Sequence, residues 1–329
     1  MHPKIAIVYN APDPDLYGTA VDKNASLAIL ESVNAVYQAL VESGYPVVRF
    51  PLLPPLDSAK ESLKQLKADL VFNLFEGFDG SPETEPALTD FLAALGFAYT
   101  GCPGTALSFG LDKIKTKARL EAMGTETPRY QMLGPKTSSL FSLSYPCIVK
   151  PYNEDGSNGI SEDSVVHDFT SLEKQISVIH KLFGKRALVE EFIDGREFNV
   201  TVLGTRPPKT LPISEIVYSL PLELPRILTF SAKWDPQSIY FRGTKAVCPA
   251  QIDTELQEQI TQTALLAFRL LSSRGYARVD FRLDTEERLK IIELNPNPDI
   301  SPDAGAALQA KVAGLSYSQF IEQIVQLAL

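Results

Sequence analysis

Cysteine is scarce in this chain of 329 residues, and so is any concentration of positive charge. The three cysteines, Cys102, Cys147 and Cys248, are odd in number and far apart, so they supply neither a disulfide framework nor a zinc ligand set. We expect them to be small core residues. The formal net charge is -9, and no block of Lys and Arg offers a footprint for a polyanion. Nucleic acid is therefore not an expected partner.

Long apolar runs are missing too. No stretch reaches the roughly 20 apolar residues that cross a bilayer, and residues 1–10 show no basic segment followed by an apolar run. We therefore expect no membrane contact and a cytoplasmic location. The chain also lacks the pattern G-x-x-x-x-G-K-[ST], and no G-x-G-x-x-G follows its first strand, so the P-loop and dinucleotide fingerprints are excluded.

The first hundred residues alternate short β-rich runs with helical patterns. Strands are predicted at Lys4–Tyr9, Val47–Phe50 and Asp69–Leu74, and a helix at Ser26–Ser43, closed by Gly44. This alternation is typical of an open parallel sheet and predicts an α/β layer. With 44% apolar residues, the whole chain is long enough for two or three packed subdomains.

A boundary is predicted near Thr100–Gly110, where glycines and Pro103 precede a Lys-rich helix at about Asp112–Met123. From Pro128 onward, longer loops and fewer helices favour an α+β unit. The elements predicted there are the strands Cys147–Lys150, Ala187–Glu191, Phe198–Leu203, Arg278–Leu283 and Leu289–Leu294, and the helix Glu255–Ser272.

Two acids and an amide form the most informative candidate site. Asp280 lies in one predicted strand, and Glu293 and Asn295 lie in the next, after a short turn. If the strands pair, Asp280 and Glu293 become neighbours, and Asn295 shares the face of Glu293. Carboxylate and amide oxygens suit Mg²⁺, which substrate phosphates usually complete. The alternative is a hairpin with solvated acids.

Lys150 is a candidate for phosphate binding. It ends an apolar strand and is followed almost at once by the loop Asn153–Gly159, which contains Ser157. An ammonium beside several backbone N–H groups can bind phosphate oxygens, so we include Ser157 in the nucleotide site. The alternative is an ordinary turn.

A further candidate is the strand end at Glu190, Glu191, Phe192 and Ile193. Backbone N–H and C=O groups in such a connection could pair with the edge of adenine, and Glu197 could accept hydrogen bonds from ribose hydroxyls. Solvated acids at a strand end are the alternative explanation of Glu190 and Glu191.

Taken in order, these elements resemble the ATP-grasp enzymes, most closely the D-alanine/D-alanine ligase family and its relatives. The resemblance covers nearly the whole chain and rests on Tyr99–Gly101, Leu111–Lys113, Ile148–Pro151, Leu188–Phe198, Cys248–Ala250, Arg278–Asp280 and Glu293–Pro296. It implies an N-terminal Rossmann-like (pre-ATP-grasp) domain, residues 1–103, followed by an ATP-grasp domain, residues 104–329. The latter would divide into a small central subdomain, 104–190, and a C-terminal catalytic subdomain, 191–329.

The resemblance also implies roles for individual residues. The nucleotide would contact Lys113, Lys150, Glu190, Glu191, Phe192, Ile193 and Glu197, with its phosphates at the lysines, its adenine at Glu190–Ile193 and its ribose at Glu197. Lys233 would reach the terminal phosphate, and Arg278 would stabilise charge on the phosphorylated intermediate. Asp280, Glu293 and Asn295 would bind two magnesium ions, with manganese as an alternative.

The implied reaction is an ADP-forming ligation of small-molecule substrates. A carboxylate is a poor acyl donor until phosphoryl transfer gives it a good leaving group, and an amine then attacks the acyl phosphate. Because the family often forms dimers through its first domain, a homodimer is one expected assembly.

Departures from the family pattern concentrate at the amino-acid end of the site. The family's Glu before Val-Ser-Leu and its His-Gly…Gly-Glu-Asp-Gly motif are replaced by Val21–Leu27 and Leu74–Glu85. Family tyrosines around the flexible-loop lysine are replaced by Phe230 and Trp234. This pattern favours a ligase of small amino acids or related metabolites, in a peptide or natural-product role. A true D-alanine/D-alanine ligase of cell-wall synthesis, a regulatory ATP-binding module, and an ATP-grasp kinase or carboxylase stay open.

The turn after Asn295 differs as well, since Asp299 and Ala304 stand about where the family has a glycine and a carboxylate-binding serine. Ser301 followed by Pro302 predicts a helix N-cap and first helical position. The charge of Asp299 would disfavour an acceptor carboxylate, which predicts little activity with D-alanine alone; a solvated turn residue is the alternative.

The segment Leu220–Thr244 combines prolines with aromatic residues and shows little regular periodicity. It contains Lys233, the residue expected at the terminal phosphate. We therefore expect a mobile lid that closes over ATP.

Overall fold

The computed structural model describes residues 2–11, 20–78, 81–154, 156–204 and 207–329, and side chains 20–28 also lie outside the description. The strands are β1 Ile5–Asn10, β2 Val47–Leu52, β3 Leu70–Leu74, β4 Ala98–Tyr99, β5 Tyr130–Leu133, β6 Cys147–Pro151, β7 Val165–Val166, β8 Ala187–Glu191, β9 Arg196–Gly204, β10 Lys209–Thr210, β11 Ser214–Tyr218, β12 Thr244–Val247, β13 Gly275–Leu283 and β14 Leu289–Asn295. The α-helices are α1 Ala20–Glu42, α2 Leu56–Leu63, α3 Thr84–Ala94, α4 Gly104–Leu111, α5 Lys113–Glu121, α6 Phe169–Phe183, α7 Phe230–Trp234, α8 Ile239–Gly243, α9 Thr254–Leu270, α10 Gly305–Val312 and α11 Tyr317–Gln326.

The first sheet is parallel, with the strand order β2-β1-β3-β4. Ile5, Ala6, Ile7 and Val8 of β1 are all fully buried, because a central parallel strand is covered on both faces. On one face, apolar residues of α2 and α3 pack against β3. The predicted α/β layer is confirmed.

The other face of the first sheet is covered by α1 and by α11, which comes from the opposite end of the chain. Phe320 and Ile324 of α11 share one buried cluster with Ile7 of β1 and Leu40 of α1. The side chain of Ser316 caps α11 by accepting from the backbone N–H of Gln319, and the Gln319 side chain caps in return. The core of the first sheet therefore extends past the predicted boundary at residue 103.

Two antiparallel sheets form the remainder. The second has the order β5-β8-β6-β7 and packs against α6. The third has the order β12-β11-β9-β13-β14, with β10 added to β9, and packs against α4 and α9. The second sheet uses residues between 130 and 191 and the third uses residues between 196 and 295, close to the proposed subdomain boundary at 190.

One prediction of local structure is wrong, and a second is confirmed except for the start of its helix. The helix predicted at Ser301 begins instead at Gly305, because Asp299 accepts a hydrogen bond from the Ser301 N–H and holds a turn there. The helix predicted at Ser26–Ser43 begins earlier, at Ala20.

Of the three cysteines, Cys102 and Cys147 are buried as predicted, whereas Cys248 is partly exposed. Within the described ranges, no helix is both long and apolar enough to cross a membrane.

Candidate active site

A cleft of about 880 Å³ lies between the second and third sheets. The predicted site residues that line it are Lys113, Lys150, Ser157, Glu190, Glu191, Phe192, Ile193, Glu197, Lys233, Arg278, Asp280 and Glu293. Asn295 follows Glu293 on β14 and lies beside the cleft rather than in its lining. Residues that the sequence places more than 150 positions apart are thus brought to one cavity.

Strands β13 and β14 place the acids together. Asp280 lies directly opposite Glu293, and Arg278 lies opposite Asn295, so the predicted strand pairing is confirmed. Arg278 donates through Nε and Nη2 to the two oxygens of Asp280, at 2.7 Å each. The Nζ of Lys113 is 2.9 Å from Oε1 of Glu293. Each of the two carboxylates is therefore paired with a different basic side chain.

The acids fit a magnesium ion by their chemistry. Burial raises the pKa of Asp280, Arg278 opposes the rise, and the like charge of Glu293 adds to it. A divalent cation between the two carboxylates would remove that repulsion, and oxygen is the donor that Mg²⁺ prefers. Among the described residues, no group of three His, Cys, Asp or Glu side chains converges, so the set is two carboxylates and the amide of Asn295.

Lys113, Lys150 and the loop after β6 lie together where the nucleotide phosphates are predicted to bind. Lys113, the first residue of α5, donates through Nζ to the backbone oxygen of Glu154 at 2.6 Å. In the loop after β6, Gly156, Ser157 and Gly159 all have positive φ angles, of 64°, 64° and 74°. Such backbone curvature is typical of concavities that bind anions. Asp155 of this loop lies outside the described residues.

Glu190 is a buried acid held by two lysines. Its Oε2 lies 2.7 Å from Nζ of Lys150, and its Oε1 lies 2.8 Å from Nζ of Lys117. Burial acts to raise the pKa of Glu190, but the two lysines lower it below its ordinary value. The alternative of a solvated strand-end acid is therefore wrong for Glu190.

Lys117 was missed by the sequence analysis. It lies four residues after Lys113 on α5 and therefore on the same face of the helix, which was the available signal.

The connection after β8 offers backbone groups at the cleft. The N–H groups of Glu191 and Phe192 already donate, to Arg129 O at 2.9 Å and to Pro146 O at 3.1 Å. Among the described residues, the N–H of Ile193 makes no backbone hydrogen bond. Ile193 therefore offers a backbone N–H group at the cleft.

Glu197, the predicted ribose ligand, is positioned by two residues that the sequence analysis missed. It accepts hydrogen bonds from Arg282, its neighbour across β13, and from the hydroxyl of Tyr218 at 2.6 Å. Arg282 also donates to Ile193 O at 3.3 Å. No local pattern pointed to these partners, because they come from separate strands.

The predicted lid, Leu220–Thr244, contains the short helices α7 and α8. The N–H of Phe230 donates to Ile160 O at 3.0 Å, beside the phosphate loop. Ile227 and Tyr240 are buried in one cluster with Val165 of the second sheet. The segment therefore lies across the cleft, and its opening stays a prediction.

The turn after β14, where the acceptor substrate is predicted to bind, contacts the first sheet's helix α3. Asn297 donates through Nδ2 to Oε1 of Glu85 on α3, at 2.7 Å, and lies 3.4 Å from the hydroxyl of Tyr276. Asp299 is exposed and accepts from both the N–H and the hydroxyl of Ser301. This arrangement supports the turn-residue alternative for Asp299.

Parts of the sequence that depart from the family pattern lie outside the described residues. These are Asp79, Gly80 and the side chains of Val21–Leu27.

Comparison with known proteins gives three kinds of match. Residues 108–326 match the family model described as D-ala D-ala ligase C-terminus. The D-alanine–D-alanine ligase of Desulforudis audaxviator is 32% identical over 322 residues, which cover 94% of this chain and 96% of that protein. An uncharacterised protein of Sinorhizobium fredii is 34% identical over 263 residues, 79% of this chain and 74% of its own length.

Solved structures share the fold. The VanG D-Ala:D-Ser ligase from Enterococcus faecalis has a TM-score of 0.76 at 20% identity, with 100% of both chains covered. The D-alanine–D-alanine ligase from Bacillus anthracis complexed with ATP has a TM-score of 0.74 at 20% identity, covering 99% of this chain and 97% of that one. The predicted ATP-grasp fold is confirmed by this likeness.

Proposed function

The chain belongs to the D-alanine/D-alanine ligase family, and from that premise we propose that it joins two small amino-acid-like substrates through an acyl phosphate. As a member of the family it is an ATP-dependent ligase.

One observation carries the proposal. Paired acids, Asp280 and Glu293, line the same cleft as Lys113, Lys150 and Arg278. Cations and a metal at one place stabilise the charge of a transferring phosphoryl group, which is the main requirement of phosphoryl transfer. A module that only binds ATP has no need of this combination.

The nucleotide would lie along the cleft from the backbone of Ile193 to the lysines. Adenine would pair with Ile193 N–H, and the ribose would meet Glu197, held in place by Arg282. The phosphates would lie at Lys113 and Lys150 and against the loop that contains Ser157, with Lys233 above them.

Magnesium would be held by Asp280, Glu293 and Asn295, where it would neutralise charge on the phosphates. Arg278, which forms an ion pair with Asp280, would turn toward the phosphorylated substrate. The lid would exclude water, because an acyl phosphate exposed to water is hydrolysed before the amine can attack.

Two acceptor assignments compete. The named relative, identical at 32% over 94% of this chain, supports D-alanine in both positions. Ala304 stands about where the family has a carboxylate-binding serine, and the missing hydroxyl favours an acceptor other than a simple carboxylate-bearing amino acid. The exposed Asp299, which is bonded to Ser301, does not add to this argument. We propose the second, and keep its prediction of little dipeptide from D-alanine alone.

A test is to measure ADP release and product with ATP, magnesium, and D- and L-amino acids singly and in pairs. We expect release that depends on a pair, and loss of turnover in Glu293→Gln, which keeps the side-chain shape but removes the charge. Glu286→Gln, on the exposed turn of the same hairpin, should keep wild-type activity. Release with one substrate and no dipeptide would indicate a kinase, and no release would indicate a binding module. Efficient D-alanyl-D-alanine synthesis from D-alanine alone would support the first assignment.

A further inference from the structure

Lys117 is a buried lysine that the proposed chemistry leaves without a role. Only 3% of the residue is exposed, and its Nζ lies 2.8 Å from Glu190. The second oxygen of Glu190 lies 2.7 Å from Lys150, whose side chain is 10% exposed. One buried carboxylate therefore faces two ammonium groups.

The other groups around Lys117 do not neutralise the extra positive charge. The ring of Tyr130 on β5 lies 5.5 Å from its Nζ. Glu121, one turn further along α5, attracts it from an exposed position, where water screens the interaction, and Lys150 repels it. The trio of Lys117, Glu190 and Lys150 thus carries an excess of one positive charge in a place with little water.

The trio has an inner and an outer end. Lys150 and Glu190 line the nucleotide cleft, whereas Lys117 lines a small crevice between α5 and β14. Lys117 therefore lies behind Glu190 and does not reach a ligand in the cleft directly.

We propose that Lys117 is a positioning residue for the nucleotide phosphates, acting through Glu190. If Glu190 faced Lys150 alone, the pair would be neutral, and Lys150 would offer little net charge to a phosphate. With Lys117 holding the other oxygen, part of the positive charge of Lys150 stays available, and the phosphate supplies the missing negative charge. This inference rests on the proposed binding of ATP in the cleft.

The test compares ligands with and without phosphates in Lys117→Met and Lys117→Arg. Calorimetry with ADP and with adenosine, in buffer containing a chelator, removes any contribution of metal ions or acceptor substrates. We expect Lys117→Met to weaken ADP binding by about tenfold, the loss of one charge-assisted contact, and to leave adenosine binding unchanged. Lys117→Arg keeps the charge and should bind ADP nearly as well as the wild type.

Each contrary result has its own meaning. A wild-type protein that fails to bind ADP overturns the nucleotide site itself. Unchanged ADP binding in Lys117→Met overturns the role of Lys117 alone, and an equal loss of ADP and adenosine reduces it to a structural residue.

A second measurement serves if Lys117→Met does not fold. Burial lowers the pKa of Lys117, so the wild type should lose ADP affinity as the pH rises toward the ordinary lysine range, before Lys117→Arg does. The groups that face Lys117 are Glu190, Lys150, Glu121 and Tyr130, and all four are retained in both proteins. Identical pH profiles would overturn the proposal.

Discussion

The three thiols differ in how well the protein shields them. Burial raises the pKa of Cys102 and of Cys147 to about 11 each, and both residues are nearly inaccessible. Burial also raises the pKa of Cys248, but this residue is partly exposed. Because the thiolate is the reactive form, a thiol with a pKa near 11 is ionised in roughly one molecule per thousand at pH 8.

We expect one accessible thiol in the folded protein. At pH 8, Ellman's reagent should react first with Cys248, and with all three cysteines only after denaturation. The rate at Cys248 should rise with pH, because more thiolate forms. Cys248→Ser should leave no fast-reacting thiol; two or more fast thiols in the native protein would contradict the burial of Cys102 and Cys147.

At the residue scale, sequence reasoning succeeded where partners are close in the chain. Asp280 and Glu293 belong to two strands joined by a short turn, so their pairing follows from the strand period. Arg282 and Glu197 are 85 residues apart, and nothing in either segment indicates the other. Long-range pairs of this kind depend on the register of β9 with β13, which only the folded sheet fixes.

At the scale of elements, the lid shows why short helices escape prediction. Each of α7 and α8 has five residues and begins at a side-chain cap, Thr229 accepting from Ala232 N–H and Ser238 from Phe241 N–H. One turn is too short to show a helical period. The cap residues were the only signal, and Ser and Thr are common in loops as well.

Tyr240 should keep the lid closed. It is 3% exposed and packs with Ile227 and Val165, so Tyr240→Ala removes the largest apolar contact of α8. We expect trypsin to cut at Lys233 and Arg242 several times faster in this variant, because the lid opens more often. ATP with both substrates should slow the cut in the wild type.

A neighbouring residue supplies the control for Tyr240. Phe241 is 41% exposed, and Phe241→Ala should change the cleavage rate little. Equal acceleration in the two variants, or indifference of the wild type to ligands, would contradict the lid assignment.

At the scale of the whole molecule, two glycines join the first sheet to the third. Gly275 begins β13 with φ +69°, and a Cβ there would lie 3.0 Å from the backbone oxygen of Gly101. Backbone atoms cannot yield as a flexible side chain can. The two units therefore meet where no side chain fits, and we keep the domain boundary at 103 as a proposal.

Gly275→Ala should destabilise the protein more than a glycine change in open space. Gly314 also has a positive φ, +89°, but nothing lies within 4 Å of its added Cβ, so Gly314→Ala costs only the backbone strain of about 1–3 kcal/mol. The close contact in Gly275→Ala adds about 1–3 kcal/mol for overpacking. Thermal unfolding should give a lower Tm for Gly275→Ala than for Gly314→Ala. Equal Tm values would contradict the close packing of Gly275 against Gly101.

The covering of the first sheet by α11 bears on how the protein is made. During synthesis the first strands leave the ribosome early, while Phe320 and Ile324 are still to be translated. Gln326 bonds to Tyr45 across 281 positions of the chain, and translation at roughly 5–20 residues per second leaves that gap open for tens of seconds. Until then the part of this face that α11 covers stays exposed beside α1, so the growing chain presents apolar surface to holdase chaperones and to other nascent chains.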